Sequence, residues 1–187
     1  MKDYFSEIYQ YVSQNYIVNE FEESHCSKNI DMLLGYNISE ATRKIYSSYE
    51  KFELVWFKDD NYLGEIHFVP VSQLENEHNK FLRTVRDYYD VEEDTLGIAD
   101  RINNWYPLFN FYSMDTFCLD ITNGHIVLFD HEILYGEGTL NGLKIANSID
   151  ELLERWSMVH FADVYYWDKA VNHDGLDLES DLLKSYL

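Results

Sequence analysis

Apolar residues recur along this chain with two different periods, and the change from one period to the other marks its elements. Phe5, Ile8, Tyr9, Val12 and Tyr16 fall at helical spacing, which predicts a helix over residues 3–17 with one apolar and aromatic face. Residues 19–29 are polar and acidic and read as a connection, and the short apolar run over 30–34 has no decisive period. Ser39 is placed to cap a second helix that carries Thr42, Ile45, Tyr46 and Tyr49 on one side and ends near Lys51. Two β-rich runs follow, over residues 53–57 and 64–69. They are joined by the polar turn Lys58-Asp59-Asp60-Asn61 and closed by Pro70, which predicts a hairpin.

Residues 71–104 form a charged excursion in which Phe81, Leu82, Val85 and Tyr89 are spaced for one helix. A strand over 106–112 should then lead into the stretch 115–132, around which the chain is organised. Asn123-Gly124 tolerates the positive φ angles of a two-residue turn. That turn would set Thr122 opposite His125, Ile121 opposite Ile126, Leu119 opposite Leu128 and Phe117 opposite Asp130. One face of the hairpin is then nearly all apolar, and the other carries Cys118, Asp120, Thr122, His125, Val127, Phe129 and His131.

Gly136, Gly138 and Gly142 punctuate the next loop without the spacing of a phosphate cradle. Residues 143–146 are short and apolar. Ser148-Ile149-Asp150-Glu151 is a capping box in which Glu151 should reach back to the Ser148 amide, opening a helix whose stripe is Ile149, Leu152, Leu153, Trp156 and Val159. The aromatic run over 161–167 continues the core. Leu178, Leu182, Leu183 and Tyr186 suggest a short closing helix after a turn at Asp174-Gly175.

Composition narrows the function classes. A chain of 187 residues with 46 % hydrophobic side chains can bury a sizeable core and reads as one globular unit. Its 34 acidic and 14 basic side chains give a formal charge of −20, which repels nucleic acid and anionic membranes and attracts a basic protein. No apolar run approaches the roughly 20 residues that span a bilayer, and Met1-Lys2-Asp3-Tyr4 leads into a mixed helix rather than a signal-peptide core, so the expected location is the cytoplasm. Cys26 and Cys118 have no CxxC spacing and read as reduced thiols.

Asp115, Asp120, Asp130, His131 and Glu132 are residue types that bind metals or transfer protons. In the register above, Asp120 faces Val127, and His131 lies two same-face steps away, about 13 Å at ~3.3 Å per residue, which is too far for one ion. Asp130 and His131 point to opposite faces unless the strand bulges. The expectation is therefore structural: Asp115 and Asp120 accept backbone hydrogen bonds at strand ends, His131-Glu132 caps a loop, and no metal or cofactor is implied. Cys118, between Phe117 and Leu119, reads as a small buried hydrophobe rather than a nucleophile paired with His125 or His131. Trp56, Trp105, Trp156 and Trp167 read as core. Asp59 and Asp60 in the first hairpin turn, and Glu92, Glu93 and Asp94 in the run that follows the charged helix, are the candidate contacts for cationic side chains.

Taken together, these motifs resemble the SUKH superfamily, which includes the fungal Smi/Knr cell-wall assembly regulators and many bacterial immunity proteins. The resemblance runs over about residues 38–160. It rests on Ile45-Tyr46, Leu54 to Trp56, a strand ending near Pro70, Tyr106-Pro107-Leu108-Phe109, Asp115 to Asp120, Asn123-Gly124-His125-Ile126, His131-Glu132, and Ile145 to Ser148 opening a helix with Leu152 and Leu153. The chain departs from the pattern at Tyr49-Glu50-Lys51 and Ser113-Met114, and its charged excursion is longer than usual. The resemblance implies an α+β fold, a mainly antiparallel central β-sheet with helices packed against it, in a single domain over 1–187 to which the helix 3–17 and the tail 168–187 are appendages. It assigns Trp56, Pro107, Asp115, Asp120, Gly124, His131, Glu132 and Ser148 structural roles. It also implies binding rather than catalysis: an immunity protein that neutralises a cognate toxin domain with a basic surface, often a nuclease. The alternatives are a regulatory scaffold of the fungal type, or a small metal-dependent hydrolase.

Overall fold

Seven strands lie side by side in the order in which the chain makes them, each antiparallel to its neighbours: β1 (Ile17–His25), β2 (Tyr49–Lys58), β3 (Asn61–Phe68), β4 (Trp105–Asn110), β5 (Thr116–Asp120), β6 (Ile126–Phe129) and β7 (Lys144–Ala146). The computed structural model describes residues 3–25, 39–88, 94, 97–131 and 139–186. The helices among these residues are α1 (Tyr4–Asn15), α2 (Glu40–Ser48), α3 (Val71–Tyr88), α4 (Ile98–Arg101), α5 (Ile149–Met158) and α6 (Asp181–Lys184), and the fold is α+β. No described helix is long and apolar enough to cross a membrane.

Both faces of the middle of the sheet are covered, which explains why every residue of β5 and β6 is buried. On the first face, the stripes of α1, α2 and α5 meet Leu54, Trp56, Ile66, Phe109, Phe117 and Leu128. Trp156 of α5 stands edge-on to Phe109 and Phe117, and its indole N–H donates to the Ala162 carbonyl at 2.9 Å. The terminal segments, expected as appendages, belong to this core: Phe5 and Val12 of α1 and Leu176 and Leu183 of the tail are buried in it. On the second face, Phe81 and Val85 of α3 and Ile98 of α4 cover Trp105, Cys118, Val127 and Phe129. All four tryptophans are buried, as is Cys118, whose thiol pKa is pushed up by that burial.

Several expectations need correction. The segment read as a polar connection holds all but the first two residues of strand β1, an edge strand with nearly every side chain outside the core. Its partner is the β2 main chain, so its apolar pattern is weak and only Phe21 betrays it, stacked on Tyr9 at 4.0 Å. Helix α2 stops at Ser48, because Tyr49 is already extended and pairs with His25. The apolar run over 30–34 lies outside the described residues, as do Cys26, Glu92, Glu93 and Glu132. The capping box forms, with the Glu151 N–H donating to Ser148 Oγ at 3.2 Å, but the Glu151 carboxylate accepts from the Asn147 N–H (3.0 Å) rather than from Ser148.

The central hairpin has the right faces and a different register. Leu119 pairs with Ile126, Phe117 with Leu128 and Thr116 with Phe129, a slide of two residues from the Asn-Gly expectation. Side chains alternate with period two, so this slide keeps each residue on its face and changes only its partner. The cause is Asp120. Its Oδ1 accepts the Thr122 N–H (2.9 Å) and hydroxyl (2.5 Å), and its carbonyl accepts the Gly124 N–H at 2.8 Å, which closes a longer loop in which Gly124 supplies φ +80°.

Candidate functional site

The second sheet face divides in two. Helices α3 and α4 cover its β4–β6 half, whereas across β1–β3 no described helix lies over it and the side chains turn acidic. Antiparallel pairing sets Glu20, Val55 and Glu65 in one row, and Glu22, Glu53 and His67 in the next. Among the described residues Lys51 is the cation in this patch, bridging Glu22 at 2.8 Å and Glu53 at 3.1 Å.

Glu65 organises the patch. It is wholly buried, its Oε1 accepts the Tyr112 main-chain N–H at 2.5 Å, and its Oε2 accepts from His67 Nε2 at 2.9 Å. Tyr112 is thereby laid over the sheet, edge-on to His67 at 5.0 Å and with its hydroxyl donating to Glu20 at 3.3 Å, while 59 % of its surface stays in solvent. Burial, then Glu20, Glu65 and Glu53, push the Tyr112 phenol above its ordinary pKa.

Beside this patch β3 leaves β4, with which it pairs only at His67 and Phe68, and Gly64 pairs with Ala162 instead. That bridge brings Asp163 to β3. Its Oδ2 accepts from the Tyr62 hydroxyl at 3.4 Å and its Oδ1 from the Tyr165 N–H at 3.2 Å. Burial, with the neighbouring charges of Glu65 and Asp115, raises the Asp163 carboxyl to about 6. Tyr165 and Tyr166 follow, edge to face at 5.1 Å and each more than half exposed, with Lys169 over the Tyr166 ring at 4.4 Å. The result is a continuous surface of carboxylates interleaved with exposed phenol rings, suited to guanidinium and ammonium groups through charge and cation–π attraction. Sequence reading did not identify Glu20, Glu53, Glu65, Tyr112 or Asp163. They come from five separate elements, and the one local signal was a charged Glu65 inside a β-rich run.

Asp59 and Asp60 occupy the exposed β2–β3 turn as expected, Asp59 with φ +55°. Asp94 is engaged inside the fold, since its two carboxylate oxygens accept the Ile98 and Ala99 N–H groups at 2.8 and 2.9 Å and start α4. Trp56 is buried opposite Gly64, and Pro107 sits in β4 opposite Cys118 next to a bulge. Asp120 and Gly124 shape the hairpin loop, and Ser148 caps α5.

A second group assembles at the open end of the β5–β6 hairpin. Asp115, Asp130 and His131 bring ligand atoms within 4.8 Å of one another. The observed register sets Asp115 one step beyond the Thr116–Phe129 pair, facing Asp130, and β6 ends at Phe129, so strict alternation no longer separates Asp130 from His131. His131 donates to Asp115 Oδ1 from Nδ1 (2.8 Å) and from its main-chain N–H (3.2 Å). Asn141 holds the Asp130 main chain with two 3.0 Å bonds. The carboxyl of Asp115 lies above its ordinary pKa because of burial, against the opposing effect of His131. Among the described residues this group has the donor atoms for a metal, and Asp120 is not part of it. Beside it, a cavity of about 460 Å³ lies between α3 and the sheet, lined among others by Phe81, Pro107, Met114, Phe129 and His131.

No protein-family model matches the chain, and no curated protein matches it either.

Proposed function

We propose that this protein is a non-enzymatic binding module that captures a basic protein, and that its partner is a toxin domain, of the nuclease kind, which it neutralises in the cytoplasm as an immunity protein. The observation that carries this reading is the acidic, tyrosine-rich surface spanning Glu20, Glu53, Tyr112, Asp163 and Tyr165, with Glu65 buried beneath it and holding Tyr112 in place. A nuclease presents cations where phosphates bind, and a surface of fixed carboxylates with phenol rings competes for the same groups. A charge of −20 adds long-range attraction to such a partner. The order of elements and the motifs that resemble the SUKH superfamily point to the same class.

The test is capture of the adjacent gene product by tagged protein at low and high salt, followed by titration of the purified pair. Glu53→Lys and Tyr112→Ala should each weaken binding by at least about tenfold, with an association rate that falls steeply with salt. Glu154→Gln, exposed on α5 over the opposite face of the sheet, serves as the comparison. Binding that ignores both salt and the two substitutions would remove this surface from the interface. Recovery of several housekeeping proteins in place of one basic domain would favour the scaffold.

A further inference from the structure

We propose that Asp115, Asp130 and His131 bind one divalent transition-metal ion, of the zinc or manganese kind, at the open end of the β5–β6 hairpin. This inference is independent of the proposed toxin partner, and four observations support it.

The donor set is two carboxylates and an imidazole nitrogen whose atoms already lie within 4.8 Å of one another. An ion with bonds of about 2.0–2.2 Å needs ligand atoms only modestly closer than that, which small side-chain rotations supply. The donors are also held in advance. Asp115 and Asp130 are each only 7 % exposed, and the Asn141 side chain fixes the Asp130 main chain from both its N–H and its carbonyl.

The group has unfilled capacity for a cation. Both His131 hydrogen bonds go to Oδ1 of Asp115, and Oδ2 of this buried residue accepts no hydrogen bond among the described residues. Asp130 faces it across the hairpin, so two buried carboxylates gather around a single imidazole. Carboxylates gathered in a poorly solvated place are stabilised by a bound divalent ion.

Finally, the group is reachable. His131 lines the cavity of about 460 Å³, which leaves room for water or a ligand atom in a fourth coordination position. An imidazole ligand favours zinc or manganese over magnesium or calcium, which take all-oxygen sets. On binding, the ion takes the place of the Nδ1 proton that His131 now donates to Asp115; that proton passes to solvent while Nε2 takes one up, so the ligand is a neutral imidazole of the other tautomer.

The test is equilibrium dialysis of chelator-treated protein against Zn²⁺ alone or Mn²⁺ alone, with elemental analysis and a thermal melt. The wild type should take up one equivalent saturably and melt higher with the ion, an effect that a chelator reverses. Asp130→Asn and His131→Gln should each weaken uptake at least about tenfold while keeping the native far-ultraviolet circular dichroism spectrum. Should either unfold, Asp115→Asn replaces it, since the amide oxygen still accepts the His131 N–H. His173→Ala, which removes the exposed His173–Asp174 pair, should leave uptake unchanged. No saturable uptake up to about 1 mM, equal uptake by the hairpin variants, or loss only with His173→Ala would each overturn the proposal.

Discussion

Glu65 of β3 accepts the Tyr112 main-chain N–H at 2.5 Å, a bond that ties the sheet to the turn after β4 and lays the Tyr112 ring over the acidic patch. Removing the acceptor leaves that amide and the His67 ring without their partner. Glu65→Ala should therefore cost about 1–3 kcal/mol in chemical denaturation, and Glu65→Gln, which keeps one oxygen for Tyr112, should cost less. Equal stability of Glu65→Ala and wild type would show that Tyr112 is held by something else.

Trp56 packs over the bare backbone of Gly64, its cross-strand partner, so closely that a β-carbon at Gly64 would collide with the indole. Gly64→Ala should shift Trp56 and destabilise the fold by about 1–3 kcal/mol. Because Gly64 also bridges to Ala162, the substitution should loosen Asp163 and Tyr165. Urea midpoints and the Trp56 fluorescence report the two effects. A variant with unchanged midpoint would contradict the tight fit.

Asp163 gives stability a pH dependence of defined sign. Its folded pKa of about 6 is above the 3.8 of an ordinary aspartate, so between these values the folded protein binds more protons than the unfolded chain. Ionising this group therefore costs stability as pH rises from about 4 through 6, and the cost is complete above about 7. Asp163→Asn should raise stability by about 1–2 kcal/mol at pH 8, allowing for solvent screening, and by little at pH 3.5. A gain of the same size at both pH values would assign the effect to packing instead.

The Tyr46 hydroxyl is fully buried with no hydrogen-bond partner among the described residues, and burial drives its pKa strongly upward. Tyr46→Phe should be neutral or stabilising by up to about 1 kcal/mol, since the folded state no longer desolvates an unpaired hydroxyl. A loss greater than that in a thermal melt would reveal a partner.

The elements that were legible in the sequence are those whose period is set by burial on one side. The helices α1, α2 and α5 announced themselves through the Phe5–Ile8–Val12, Ile45–Tyr46 and Leu152–Leu153–Trp156 stripes, and Ser39 and Ser148 cap as their chemistry predicts. Strand β1 was invisible because an edge strand draws its stability from main-chain pairing, which leaves little side-chain period to read. The acidic patch was invisible for a related reason. A lone Glu65 or Asp163 has no local meaning, and only the pairing of β1, β2 and β3 and the Gly64–Ala162 bridge collect these carboxylates beside Tyr112.

By itself the sequence determined which residues share a face of the central hairpin, because that depends on alternation alone, and it determined the acidic character of the whole chain. Which residues meet was decided by the tertiary structure. The Asp120 carboxylate, bonded to Thr122, closes a longer loop than Asn123-Gly124 implies and slides the register by two residues. That slide brings Asp115 to face Asp130 and gives His131 a partner across the hairpin, a juxtaposition that no spacing along the chain encodes.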